Sequence, residues 1–247
     1  MLDAIKRLMS GKASEPEWPE VQQWAKEQHL GFKRVRDNGG GFVIDGGMDS
    51  KPWRMEYGEP QRQYIQGHEL RLRMELGLSQ NLQMLILSQP LFEVLERATF
   101  ESFTESTQTV IDHDTPEEMR WLVMFPKASW QAPKPVRQAF HVVGSSAAEA
   151  AYWVEGALAQ QLELSLRRFM SAQPPFVLMV LRGRVYLRLQ VAEPTAAVLS
   201  QTVALFETAV LQAVRTAAGV PEGAGSFQPT GGSNTAWQSD LEPDDKP

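Results

Sequence analysis

The sequence predicts an α+β protein: an antiparallel strand meander with flanking helices, followed by a strand–helix–hairpin–helix unit. Three patterns carry that expectation. Leu70, Leu72, Met74 and Leu76 alternate with Glu69, Arg71, Arg73 and Glu75, the period of a strand with one face buried and one solvated. Val185, Leu187, Leu189 and Val191 alternate in the same way with Arg184, Tyr186, Arg188 and Gln190. Between them, Ala150, Trp153, Val154, Ala157, Leu158, Leu162, Leu166 and Phe169 recur at the three-and-four spacing of one helical face.

In chain order, residues 1–17 form a short amphipathic segment and linker, with Leu2, Ile5, Leu8 and Met9 on one helical face. Residues 18–125 hold the meander. A helix over 19–29 turns Val21, Trp24 and Ala25 inward, and strands are expected over 32–36, 41–44, 52–57, 68–76 and 82–87. Asn38-Gly39 and Asp45-Gly46 read as tight turns between them. A helix with Leu91, Val94, Leu95 and Ala98 on its apolar side follows, then a shorter one opened by Thr115-Pro116-Glu117-Glu118.

Pro126, Pro133 and Pro135 mark the expected boundary before the second unit, residues 136–219. There a strand near Phe140 precedes a single long helix over 146–171, capped by Ser146 and Glu149. A hairpin turning at Arg182-Gly183 and a last helix between Pro194 and Gly219 complete the unit. The helices are expected together on one face of the sheet, because neither can offset its conformational entropy without burying its stripe. Residues 220–247 are rich in Gly, Pro, Ser and acids and are expected to form a disordered acidic tail.

Composition bounds the function. The chain has 247 residues, no cysteine and a net charge of −6, much of it from Glu222, Asp240, Glu242, Asp244 and Asp245 in the tail. Disulfides and thiolate metal sites are excluded, and a reducing cytoplasmic setting is expected. The large basic excess of a dedicated nucleic-acid binder is absent, and no specific nucleic acid is expected as partner. No unbroken apolar run approaches the ~18 residues that cross a bilayer.

Motifs for catalysis are weak. The glycines of GGGF and DGGMD lie between strands, not before a helix N-terminus, so turn chemistry explains them better than phosphate binding. Asp112, His113, Asp114, Glu117 and Glu118 are the densest ligand-type cluster, but their spacing matches no metal site, and Glu117 and Glu118 suit a first helical turn. No metal and no cofactor are expected. No nucleophile elbow selects a serine from the scattered Ser, His and Asp residues.

The polar strand faces are the stronger signal. Arg184, Tyr186 and Arg188 must point together, and two cations flanking an aromatic suit an acidic partner segment or a phosphate-bearing ligand. Arg62 and Tyr64, in the polar loop before the fourth strand, form a second candidate recognition element. Leu2, Ile5 and Leu8 form a third, for docking on a protein partner or weakly on a membrane surface.

The order FHVVGSS, helix, RGRVYLRL hairpin and final helix resembles the C-terminal part of a bacterial family of unknown function, over about residues 136–218. Members of that family often carry membrane-spanning segments before this part. The resemblance implies one structural module and no site residues. The expected function is a non-catalytic binding or adaptor protein with an unidentified protein partner. A peripheral membrane protein held by its N-terminal helix, and an enzyme with a site assembled from scattered residues, are the alternatives.

Overall fold

The computed structural model describes residues 18–35, 40–105 and 116–219. Eight strands form one antiparallel sheet, ordered β1-β2-β3-β4-β8-β7-β5-β6. They are β1 (Gly31–Val35), β2 (Gly41–Met48), β3 (Lys51–Gly58), β4 (Glu69–Glu75), β5 (Met84–Ser88), β6 (Phe140–Gly144), β7 (Phe176–Leu181) and β8 (Arg184–Gln190). The described helices are α1 (Pro19–Glu27), α2 (Gln89–Glu105), α3 (Glu117–Met124), α4 (Lys134–Ala139), α5 (Ala147–Val154), α6 (Ala157–Arg168) and α7 (Ala196–Ala217).

The expected α+β class holds, but the five-strand meander does not. β1 to β4 follow one another, whereas β5 leaves them and lies between β7 and β6. The reason is in its composition: Met84, Leu85, Ile86, Leu87 and Ser88 are all buried, so β5 has no polar face to show to solvent. β4 pairs instead with β8, Leu72 opposite Leu187. Both halves of the chain therefore share one sheet. The proline-rich segment expected to separate them buries Ala128 and Trp130 in the common core.

That core lies on one face of the sheet. Successive cross-strand partners Ile44, Met55, Leu72, Leu187, Leu178, Ile86 and Val142 make an apolar row from β2 to β6. Helices α1, α4, α5, α6 and α7 supply the other wall, with Trp153 of α5 donating to the Ala209 carbonyl of α7 at 3.0 Å. The described residues cover the other face over only part of its width. Leu91 and Leu95 of α2 and Trp121 of α3 pack on Leu85, Leu87, Val143, Val177 and Met179. The two helical stretches of the second unit, α5–α6 and α7, share the main-core face as expected, and α2 and α3 add a cover on the other. Val94 and Ala98, expected on the inner side of α2, are exposed.

Local departures have physical causes. The long helix expected over 146–171 is two, because Glu155 is extended and Gly156 takes φ +70, a conformation glycine reaches without a Cβ penalty. The Ser146 cap is present, its hydroxyl accepting from the Glu149 amide at 3.3 Å. Asp45-Gly46 is not a turn. Both residues lie within β2, and the turn falls at Asp49-Ser50, each with positive φ. Gly46 is required for packing: a Cβ there would sit 2.2 Å from the Trp53 ring. The hairpin turn at Arg182-Gly183 lies where the sequence places it, with φ +52 and +78, the positive pair of a type I′ turn. Pro194 precedes the last helix, and Thr195 is its cap, accepting from the Val198 amide.

By length and composition α7 could cross a membrane, with a mean hydropathy of 1.4 over its best window. Glu207 and Arg215 interrupt its sequence, so it does not read as an unbroken apolar run. Here α7 buries Leu199, Leu205, Phe206, Ala209, Val210 and Ala213 in the core.

Leu162 on α6 is fully buried in the main cluster. Leu162→Ala is expected to lower unfolding free energy by about 2–5 kcal/mol, the range for a truncated core leucine. Urea denaturation measures it; a value near zero would place that face of α6 outside the core.

Candidate functional site

Alternation along β2, β3, β4 and β8 puts Asp45, Arg54, Glu56, Glu69, Arg71, Arg73, Glu75, Arg184, Tyr186 and Arg188 on the face opposite the main core. The register arranges them in rows. Asp45, Arg54, Arg73 and Tyr186 are successive cross-strand partners, and so are Glu56, Arg71 and Arg188. The rows continue on β7 as Met179 and Val177, beneath the cover of α2 and α3. Tyr186 therefore stands at the border, packed against the apolar cluster on one side and facing the charged ladder on the other.

Arg71 and Arg188 stand directly opposite each other, an unfavourable pair in isolation. Glu69 resolves it. Its side chain is fully buried and accepts from Arg188 Nη1 at 2.5 Å, Arg71 Nη1 at 3.1 Å and the Gln61 amide at 2.7 Å. Glu56 reaches Arg71 at 3.3 Å. A buried carboxylate is tolerable only with such donors, since desolvation alone would cost several kcal/mol.

A second buried carboxylate closes the border. Glu118, in the first turn of α3, accepts from Arg62 Nε at 2.6 Å and from the Tyr64 hydroxyl at 2.5 Å. Burial pushes its pKa up, but the Arg62 hydrogen bond and charge, with the Tyr64 bond, hold it below the usual glutamate range. Burial and the adjacent carboxylate push the Tyr64 hydroxyl pKa up. Arg62 and Tyr64, expected as a recognition loop, thus strap the β3–β4 loop to α3.

Towards the open side the ion pairs are exposed. Arg54 binds Asp45 at 2.8 Å, and Arg184 binds Glu75 while its Nη1 reaches the Tyr186 hydroxyl at 3.4 Å. Arg73, 58% exposed, has only Glu56, at 3.7 Å, among the described residues. A groove of about 370 Å³ runs between Asp45, Arg54, Arg73, Glu75 and Arg184. A smaller depression of about 90 Å³ lies beside it, over Arg71, Arg73, Tyr186 and Arg188.

The three arginine and tyrosine positions read from β8 are brought together, but they are not equivalent. The Arg184 side chain is 52% exposed, whereas that of Arg188 is 14% exposed and committed to Glu69. Sequence reasoning missed Glu69 and Glu118 as anchors. In an alternating strand Glu69 looks like any solvated acid, and Glu118 looks like a dipole partner. Its one distinguishing signal is the apolar company of Met119, Trp121 and Leu122.

Leu2, Ile5, Leu8, Asn38-Gly39 and the Asp112–His113–Asp114 cluster lie outside the described residues. Among the described residues no group of three or more His, Asp or Glu could hold a metal ion. His68 stacks on Tyr57 and His141 on Phe92. Burial and the Lys127 charge lower the His141 pKa to about 4.

Two expectations follow from the buried carboxylates. Arg188→Gln removes a donor from Glu69 and is expected to cost about 3 kcal/mol of stability, while Arg184→Gln leaves the melting temperature unchanged. Equal melting of the two variants would show that Glu69 does not depend on Arg188. For Glu118, the lowered folded pKa means its contribution is complete above the ordinary glutamate value of about 4.3. It is lost as pH falls through the folded value. The stability difference between wild type and Glu118→Gln is therefore expected to shrink from pH 7 towards pH 3 in urea titrations. A difference independent of pH would mean that Glu118 is neutral in the fold.

No family model matches the chain, and no curated protein sequence matches it. Among solved structures it is similar to the crystal structure of the mycobacterial trehalose monomycolate transport factor A, TtfA, at 8% sequence identity. That match covers 82% of this chain and 97% of the other, with a TM-score of 0.46.

Proposed function

We propose that this protein is a non-catalytic, cytoplasmic binding or adaptor module whose protein partner docks on the open, charged half of the sheet. One observation carries the reading: the described residues leave half of one sheet face uncovered, and its cations and carboxylates are fixed in register by the strands beneath them. A sheet surface of that kind is pre-organised, so little side-chain entropy is lost when a partner adds its own charges. Rim-type charges of this sort set specificity and association rate more than raw affinity. The shifted groups next to this face, Glu118, Tyr64 and Arg62, are engaged with one another, which favours a structural role over acid–base catalysis.

The test uses the full chain immobilised and exposed to extract of its native host, beside the double variant Arg54→Gln, Arg184→Gln. Both positions are exposed, so the variant is expected to melt with wild type. It is expected to lose partners that wild type retains, and wild-type capture is expected to weaken as salt rises. Recovery of the same partners with the same salt dependence would remove the open face as the binding surface.

A further inference from the structure

We infer that Arg73 is the anchor point for a carboxylate carried by an acidic polypeptide segment lying across β3, β4 and β8. This rests on the reading of the open face as a binding surface and names its ligand chemistry.

The inference starts from unequal pairing among neighbouring arginines. Arg54 and Arg184 each hold a carboxylate, Asp45 and Glu75. Arg71 and Arg188 share the buried Glu69. Arg73 lies among them, donates no hydrogen bond to any described residue, and has its nearest carboxylate oxygen 3.7 Å away. A guanidinium presents a planar fork of donors that matches one carboxylate edge-on, and here that fork is unmatched.

Its surroundings fit such a group. Arg73 borders both the larger groove and the smaller depression. Tyr186 is its direct cross-strand partner on β8, and the Tyr186 hydroxyl oxygen accepts from Arg184, leaving its own proton for a ligand oxygen. Arg54 is the direct partner on β3. A carboxylate on Arg73 would thus meet a guanidinium, a phenol and a second cation on three adjacent strands.

The same face disfavours uniform polyanions. Asp45, Glu56 and Glu75 stand between the arginines, so a nucleic-acid backbone or an anionic bilayer would set like charges against them. A polypeptide with acids spaced by polar residues can place each charge opposite a cation and avoid the carboxylates.

The test is fluorescence anisotropy of the full chain with a fluorescein-labelled peptide of alternating Glu and Ser. Saturable binding that weakens with salt is expected, with none for the matched Gln-Ser peptide. Arg73→Gln is expected to weaken binding about tenfold or more. Arg73→Lys should fall between, keeping the charge but losing the fork. Arg167→Gln, an exposed arginine on α6, should match wild type. The Arg73 variants should fold normally, because that side chain is 58% exposed and donates no hydrogen bond to any described residue.

Equal binding by Arg73→Gln and wild type would overturn the inference. So would duplex DNA or phosphatidylserine vesicles displacing the peptide more effectively than unlabelled peptide does. If the Arg54, Arg184 variant loses host partners while wild type ignores the peptide, the ligand chemistry is wrong and the binding face stands. If host partners are indifferent to that variant, the binding face itself falls.

Discussion

The pairing of β4 with β8 is the constraint on which the rest of the molecule depends. These strands come from the two halves of the described chain, and their ladder turns a four-strand meander and a hairpin-based unit into one sheet. Side chains alternate with a period of two, so the register of this one ladder fixes both faces together. A slip by one residue would send Leu70, Leu72 and Met74 to solvent. It would also pull Glu69 away from Arg188. The apolar row on one side and the buried carboxylate on the other therefore enforce the same alignment.

The second face is divided by what covers it. Over β5, β6 and β7, helices α2 and α3 bury an apolar surface. Over β2, β3, β4 and β8 no described residue forms such a cover, and the strands carry charge instead. The border is held by two buried carboxylates, Glu69 from the sheet and Glu118 from α3, with the β3–β4 loop strapped between them. Each satisfies arginines that would otherwise repel or stand unpaired. The covered half thus ends at a defined edge, and the open half begins with Tyr186.

Much of this could be read from residues alone, and the limits are physical. Strict alternation located β4 and β8, and the Arg182-Gly183 turn located the β7–β8 hairpin, because half-buried strands and type I′ turns leave local signatures. The partner of a strand leaves none, so residues 82–87 read as the next strand of the meander, whereas the all-buried β5 lies between β6 and β7. The break at Gly156 was hidden because the helical stripe keeps phase across it. On the candidate site, the shared face of Arg184, Tyr186 and Arg188 was legible. The division of labour among the arginines was not, since it depends on Glu69, which lies 119 residues from Arg188 in sequence. Arg73 was visible only as one member of an alternating strand.

That separation has a consequence for biosynthesis. A ribosome adding about 5–20 residues each second needs roughly 6–24 s to travel from Glu69 to Arg188. Throughout that interval β4 has been made and its final neighbour has not. The nascent meander then carries an unpaired edge and an uncovered row of Ile44, Met55 and Leu72, the features that invite wrong association. The charged residues on its opposite face, Arg54, Arg71, Arg73, Glu56 and Glu75, are present from the start and act as gatekeepers during the wait.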